Sequence, residues 1–581
     1  MIALLCMLLP ASITVYLWQK IVAENKLDIK RIGCIYIASA LVINILNRMV
    51  VKHLIRNEGD IMLQLNQSMG FALKYVFLAC VFAAAIPFLF WIDKKESLAG
   101  IIRLSEKKYE LLWRIAAIIY TVPLFLMNFI RIFDNNFWGD EAYTIKLAKM
   151  SFVDMLTATA NDVHPPLYYI LVMGAYRLLG EHGWVFHIVS MLPYLVVLIF
   201  IHTIVWKKFG KIPGLLMITF VSIMANPITY NVEARMYSLA AMFVLLAYYG
   251  FYMILESDKK EGYILFIVAS LGAAYSHYYA MMSVAVLYGA LLLFMILKKI
   301  KPKKLILTYL ITIVGYLPWL MAMLTTFERT AEDFWITEAD KHTFLAGLLF
   351  FYEGDRWYAW LMLGLTVVFL INVILLDKKK NKQLSYNTVW IIWGIAASVG
   401  TLVIAELISV LIRPAFLSRY LYPVVAVMWL ALCVSITKCK RKRACAIIIM
   451  VLTLVTSLPT YRDIYYREKG LDEACTRTHE TLQSLMKEGD VIVTLPSHLT
   501  WTILDYYMPH IEVREIVPGF QEFDSDTTYW LIWASDLNED EVKWLADCNY
   551  EVVEECHNAM LGYNLFHVYR LINVSPLTDR G

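Results

Sequence analysis

Two short stretches of this 581-residue chain concentrate side chains that can hold or move charge. The first reads Phe137-Trp138-Gly139-Asp140-Glu141-Ala142-Tyr143. The second follows about twenty residues later: Asn161-Asp162-Val163-His164-Pro165-Pro166-Leu167-Tyr168-Tyr169. Asp140, Glu141 and Asp162 are carboxylates of the kind that take a proton from a nucleophile, and His164 can orient or hydrogen-bond a substrate. An isolated acid on a wet loop needs no function. Four ionisable groups together, flanked by the interface-seeking aromatics Trp138, Tyr168 and Tyr169, point to a site at the membrane surface. Cations that could face them come from elsewhere in the chain. Arg235 lies in Asn231-Val-Glu-Ala-Arg-Met-Tyr237, His277 in Tyr275-Ser-His-Tyr-Tyr279, and Arg419, next to Tyr420, in Leu417-Ser-Arg-Tyr-Leu-Tyr-Pro423. Arg235 and Arg419 could equally snorkel to lipid headgroups, and His277 could be a satisfied interfacial histidine.

The elements that must position these residues are membrane helices. Hydrophobic residues make up 60% of the chain and charged residues only 17%, and the mean hydropathy is +0.58. A soluble domain is nearer half apolar and a quarter charged. The formal net charge of +3 leaves no basic excess for nucleic acid. The nine Cys are scattered without a CxxC-type metal pattern. The polar C-terminal region holds three of them, Cys475, Cys548 and Cys556, so no disulfide framework is expected. Apolar runs of spanning length fall near 2–23, 32–51, 70–92, 113–133, 184–206, 212–227, 234–255, 262–276, 280–297, 305–325, 358–376, 388–411, 417–437 and 444–460. The first run lacks a basic leader and a cleavage signature, and reads as a retained helix.

Basic residues set the orientation. Loops 207–211, 256–261, 298–304, 378–382 and 438–443 hold 19 Lys and Arg, against 6 in the alternate loops 226–235, 276–279, 326–357 and 413–419. The first set should face the cytoplasm. Segment 165–180 then cannot cross. It is about 24 Å long as a helix, opens with Pro165-Pro166 and carries Arg177, so it reads as an interfacial or re-entrant helix. The expectation is an all-α polytopic membrane protein of about 14 transmembrane helices with a small C-terminal α/β domain outside. Residues 1–112 form an N-terminal extension of three helices and a cytoplasmic loop. Residues 113–460 form the core, with outer loops 134–183 and 326–357, and 461–581 the extracytoplasmic domain. In that domain helices near 472–487, 499–508 and 538–547 alternate with strands at 490–495, 511–516, 528–534, 550–555 and 564–571. No phosphate loop or catalytic set stands out there, which favours a stabilising or acceptor-docking cap.

Trp138-Gly-Asp-Glu-Ala142 after a span, followed by Asp162-Val-His-Pro-Pro-Leu167, resembles the protein O-mannosyltransferase and aminoarabinose-transferase group. These are polytopic glycosyltransferases of the GT-C fold that use a polyprenyl-phosphate sugar. The resemblance covers about 113–460, is specific in the first loop and is architectural elsewhere. It implies a membrane glycosyltransferase, inverting in outcome, in the cell envelope. Asp140 would be the catalytic base, and Glu141 would orient it or the acceptor. Asp162 and His164 would close the site or touch the donor. Arg235, His277, Arg419 and Tyr420 would hold the departing phosphate. The phosphate is a good leaving group, so a base and cations suffice. The implied partners are a polyprenyl-phosphate sugar, membrane lipids and a glycan, lipid or protein acceptor, with no nucleic acid. No metal is the preferred reading. A divalent ion remains open, with His164, His277, Glu233 and Asp140 as candidate ligands. The aromatic and acidic 326–357 loop suits either carbohydrate stacking or a plain interfacial role. A transporter or lipid-linked-sugar flippase is the competing class. It would favour mid-bilayer acids and paired repeats, and only Glu406 fits that description. A catalytically dead scaffold is a third reading, opposed by the intact acidic loop.

Overall fold

The computed structural model describes residues 106–133, 136–298, 303–329, 340–353, 356–381, 384–412, 414–495, 498–517, 523–524 and 527–574. The three expected helices before residue 105 lie outside the described residues, as do 330–339 and 354–355 of the 326–357 loop.

Among the described residues, nine helices are long and apolar enough to cross a membrane: Trp113–Phe133, Gly183–Phe209, Tyr237–Ser257, Tyr278–Lys298, Lys303–Thr326, Arg356–Lys380, Tyr386–Leu411, Ser418–Ile436 and Lys442–Leu485. Two expected spans are shorter helices, Lys211–Ile223 with 13 residues and Lys260–Ser276 with 17. At 1.5 Å per residue they reach roughly 20 and 26 Å, below a ~30 Å hydrocarbon core. Their surroundings explain the sequence. Every residue from Ile212 to Ile223 is buried inside the bundle, and a helix enclosed by other helices is apolar all round whether or not it meets lipid. The 260–276 helix pairs tightly with 237–257. A Cβ on Gly250 would stand 2.8 Å from the Phe266 nitrogen, and one on Gly262 would stand 2.9 Å from the Met253 Cβ. Small residues let the two backbones approach. Segment Tyr422–Ile436 is buried along its whole length at the bundle centre. By contrast 303–326 and 356–380 expose Ile306, Leu310, Val314, Val367, Ile371 and Leu375, the apolar surface that lipid would cover. Helix Leu167–Leu179 buries Tyr168, Tyr169, Val172 and Met173 while exposing Leu178 and Leu179.

The last span does not stop at the membrane. Lys442–Leu485 is one helix of 44 residues, and its second half becomes the first element of the C-terminal domain. The strands follow as β1 (Val491–Thr494), β2 (Glu512–Glu515), β3 (Tyr529–Trp533), β4 (Tyr550–Leu561) and β5 (Asn564–Asn573), in spatial order β2-β1-β3-β5-β4. β1 pairs in parallel with β2 and β3, whereas β5 pairs antiparallel with β3 and β4. Helices His498–Tyr507 and Glu539–Asp547 complete the α/β unit. Val491, Val493, Leu531 and Leu571 are buried on one side of the sheet, and Ile492, Trp530, Ile532 and Val568 on the other.

This domain grips the core at the acidic loop. Tyr507 OH accepts from the Phe137 N–H at 3.0 Å and donates to the Phe137 carbonyl at 3.2 Å. Tyr563 OH donates to the Asn136 carbonyl at 3.3 Å. Lys146 reaches Asp505 at 3.9 Å and lies over the Trp501 ring. Arg131, at the end of the first described span, pairs with Glu468 of the long helix, and Asn136 bonds to Asp472.

Candidate active site

Helix Gly139–Lys149 opens at Trp138, placing Asp140 and Glu141 in its first turn, where the helix dipole favours negative charge. The two acids diverge from there. Glu141 turns inward and is almost fully buried. One of its oxygens accepts the Ala234 N–H at 2.7 Å, and the other accepts the Trp138 N–H at 3.3 Å. Glu141 thus ties the 231–236 backbone to the start of the helix. Burial, and then the charge of Glu233, hold its carboxyl well above the usual carboxylate range.

Asp140 stays partly accessible and sits between two guanidinium groups. Arg419 Nη2 is 3.4 Å and Arg235 Nη2 is 3.7 Å from its Oδ2. Arg235 also donates to the Asp140 carbonyl at 3.2 Å and to Tyr169 OH at 3.2 Å. The Arg235 backbone is fixed in turn, because Ser190 donates to its carbonyl and Tyr168 hydrogen-bonds to Ser190. The Arg419 guanidinium lies 5.3 Å from the Trp138 ring centroid and 5.8 Å from that of Tyr420, so aromatic faces hold the cation as well. Asp162 bears electrostatically on the same Arg235, and its carbonyl accepts from Thr326 at 3.2 Å.

The histidines close the other side. His164 and His277 have ring centroids 5.5 Å apart, and Tyr420 lies 5.8 and 5.1 Å from them. Burial, with the positive charges of Arg235 and Arg419 beyond it, pushes His277 down to about 3 and His164 well below its ordinary value. Both are neutral near pH 7. His277 Nδ1 accepts the Tyr279 N–H at 3.1 Å, which leaves its proton on Nε2. That Nε2, together with Arg235 Nε, Arg419 Nε and Tyr237 OH, is buried and has no hydrogen-bond partner among the described residues. Four donors with unused capacity therefore surround the two-arginine clamp. An anion with several acceptor oxygens is the group that would satisfy them.

All eight residues singled out in the sequence, Asp140, Glu141, Asp162, His164, Arg235, His277, Arg419 and Tyr420, thus meet at one end of the bundle, on the face that carries the C-terminal domain. Glu233 belongs there too. Its Oε1 accepts from Trp138 Nε1 at 3.0 Å, and its Oε2 is buried without a partner among the described residues. Burial raises its carboxyl to about 7; Arg235 and Arg419 oppose the rise, and the Asp140 charge adds to it. Sequence reasoning weighed Glu233 only as a metal ligand and passed over Tyr237, although both flank Arg235 in the quoted stretch. Nothing in the sequence marked Tyr507, Glu468 or Tyr563. A cavity of about 390 Å³ opens beside the clamp. Arg131, Trp138, Glu233 and Arg419 line its floor, and Arg467, Glu468, Leu471, Tyr563 and Asn564 its roof. Phe351 and Tyr352 are buried, and the Phe350 and Phe351 carbonyls accept from Asn226 and Trp429.

Residues 163–321 match the family described as dolichyl-phosphate-mannose-protein mannosyltransferase. Among solved structures, the chain superposes on ArnT from Cupriavidus metallidurans bound to undecaprenyl phosphate with a TM-score of 0.53 and 10% identity. The match covers 80% of this chain and 99% of that one. The chain shares the fold of that ArnT structure. The arabinofuranosyltransferase AftD from Mycobacteria aligns at TM-score 0.41 and 12% identity, over 82% of this chain and 40% of that one. No curated protein matches by sequence. In this fold the acidic loop, the two arginines and the C-terminal domain share one face, and the 163–321 match contains Arg235 and His277.

Proposed function

We propose that the protein is a membrane glycosyltransferase that moves a sugar from a polyprenyl-phosphate donor to an acceptor at the outer face of the membrane, with Asp140 as general base. The observation that carries this reading is the Asp140 carboxylate between Arg235 and Arg419, ringed by the unsatisfied donors Arg235 Nε, Arg419 Nε, Tyr237 OH and His277 Nε2. The ArnT structure holds undecaprenyl phosphate, which supports a lipid-linked phosphate as the leaving group here.

The chemistry follows from that arrangement. The donor phosphate shares the two guanidinium groups with Asp140 and takes hydrogen bonds from the four free donors. Drawing the arginines towards the phosphate relaxes their hold on Asp140 and leaves its carboxylate available to the acceptor hydroxyl. The acceptor O–H proton passes to Asp140 as the acceptor oxygen bonds to the anomeric carbon. The bond from that carbon to the phosphate oxygen breaks on the opposite side, with inversion. Its electron pair leaves on polyprenyl phosphate, where Arg235, Arg419 and His277 stabilise the charge. Asp162 and His164 wall the donor side, and Glu141 holds the helix that presents Asp140. The roofed cavity beside Trp138 and Glu233 is the approach for the acceptor. Residues 1–112, 113–460 and 461–581 act as extension, catalytic core and outer domain in this reading, and no metal is required.

The direct test is sugar transfer by the purified chain from a synthetic polyprenyl-phosphate sugar, together with the lipid-linked sugar that accumulates in cells lacking the protein. No transfer and no accumulation would refute the assignment. Orientation is tested by single-cysteine labelling with an impermeant reagent. Ser484→Cys should label in intact cells and Lys208→Cys should not; the reverse pattern would place the site on the cytoplasmic side.

A further inference from the structure

The C-terminal sheet gathers a second polar cluster that the transfer reaction does not use. β5 runs between β3 and β4, and His567 on β5 pairs in register with Trp533, the last residue of β3. Three residues beyond Trp533, Asp536 brings its Oδ1 to 3.3 Å from His567 Nδ1. On the other side, β4 loses regular register between Glu554 and Cys556 and again between Cys556 and Ala559, with Asn558 in the left-handed region at φ 57°. That bulge aims Glu554 and His557 at the same point. Glu554 Oε1 lies 2.9 Å from His557 Nδ1 and 3.3 Å from His567 Nδ1, and the two imidazole centroids are 4.4 Å apart.

One ligand atom from each of Asp536, His557 and His567 falls within 4.8 Å of the others, the grouping of this kind found among the described residues. We propose that these three side chains form a divalent-metal site with zinc as its ion, and that Glu554 is the outer carboxylate orienting the His557 imidazole. Two imidazole nitrogens and one carboxylate oxygen are zinc donors. Calcium and magnesium take oxygen sets instead. Bond lengths of ~2.0–2.1 Å in a tetrahedral site put donor atoms about 3.3 Å apart, the separation already present between His567 and Asp536. Small side-chain rotations bring His557 to the same spacing. A carboxylate on the second nitrogen of a ligating histidine fixes its tautomer and its aim; Glu554 meets His557 at Nδ1, which leaves Nε2 of that ring for the ion. His567 is mostly buried and Asp536 and His557 are exposed, so an ion could enter from solvent and lock β3, β5 and the β4 bulge together. The site shares no residue with the arginine clamp and does not depend on the proposed reaction.

The test uses the full chain purified in detergent without a histidine tag, stripped with chelator and re-equilibrated with zinc chloride. Metal content after gel filtration and the melting temperature are both read. The expected result is about one zinc per chain, with a zinc-dependent rise in melting temperature, because an ion that binds only the folded state stabilises it. His557→Ala removes an exposed side chain and should abolish both effects while leaving the metal-free melting temperature unchanged. Glu554→Gln should weaken zinc binding by about 10–100-fold. Zinc retained equally by His557→Ala, no retained zinc in the wild type, or magnesium matching zinc in both readouts would each overturn the proposal.

Discussion

Replacing Arg419 with alanine perturbs the proposed donor site most cleanly. Its guanidinium stands 3.4 Å from Asp140 Oδ2, and both side chains are about one-quarter exposed. Unit charges at that separation interact by about 1 kcal/mol at the dielectric of water and by ~5 kcal/mol at an effective dielectric near 20. A phosphate oxygen in the clamp would lie at a similar distance from Arg419 Nε, which has no partner among the described residues. Desolvation offsets part of the attraction. The net worth of a hydrogen bond to a charged group, ~1.5–3 kcal/mol, is the appropriate scale. At ~1.4 kcal/mol per tenfold, Arg419→Ala should weaken binding of a polyprenyl phosphate by about 10–150-fold. Arg419→Lys should recover only part, because a point charge cannot donate along two directions or stack between Trp138 and Tyr420 as the planar group does. The assay is equilibrium binding of a fluorescent short-chain polyprenyl phosphate to the purified protein. A dissociation constant within twofold of wild type for Arg419→Ala would refute the phosphate role and return Arg419 to a headgroup-facing residue.

Three further outcomes follow from neighbouring contacts. Glu141→Ala leaves the buried Ala234 N–H without its acceptor and should cost about 1–3 kcal/mol of stability in chemical denaturation. Glu141→Gln keeps one acceptor oxygen and should slow transfer less than the corresponding change at Asp140. Tyr507→Phe removes both hydrogen bonds to Phe137; transfer should fall while donor affinity stays unchanged, since the donor side is untouched. Glu233, raised to about 7 by burial, is neutral below that pH and anionic above it. Its charge would compete with the donor phosphate for Arg419. Donor affinity should therefore fall as pH rises through about 7, by no more than about tenfold per pH unit for one proton, and Glu233→Gln should flatten the profile.

Part of the C-terminal domain was legible because β1 and β3 are short, apolar and β-branched or aromatic, Val491-Ile-Val-Thr494 and Tyr529-Trp-Leu-Ile-Trp533, with polar helices between the strands. The 442–485 helix was legible only as two pieces. The run Arg462, Asp463, Arg467, Glu468 marks where apolar surroundings end, and polarity says nothing about where hydrogen-bonded backbone ends. The buried helix 211–223 carries the same composition as a lipid-facing span, so sequence alone cannot separate the two environments. At the site, local chemistry pointed to Asp140 and Glu141. It could not tell that Glu141 turns in to cap Ala234 while Asp140 turns out to meet Arg419, 279 positions away. That division depends on how the 231–236 segment packs against the helix start, which is a tertiary fact.

Asp140→Asn tests most directly whether Asp140 takes the acceptor proton. The amide keeps the shape of the side chain and removes the base. It also removes the anion that competes for Arg235 and Arg419 at 3.7 and 3.4 Å. Single-turnover transfer at saturating polyprenyl-phosphate sugar should therefore drop by about 10²–10⁴-fold, with donor binding as tight as in the wild type or tighter. Near-normal turnover with intact donor binding would contradict the account and move the base to Asp162.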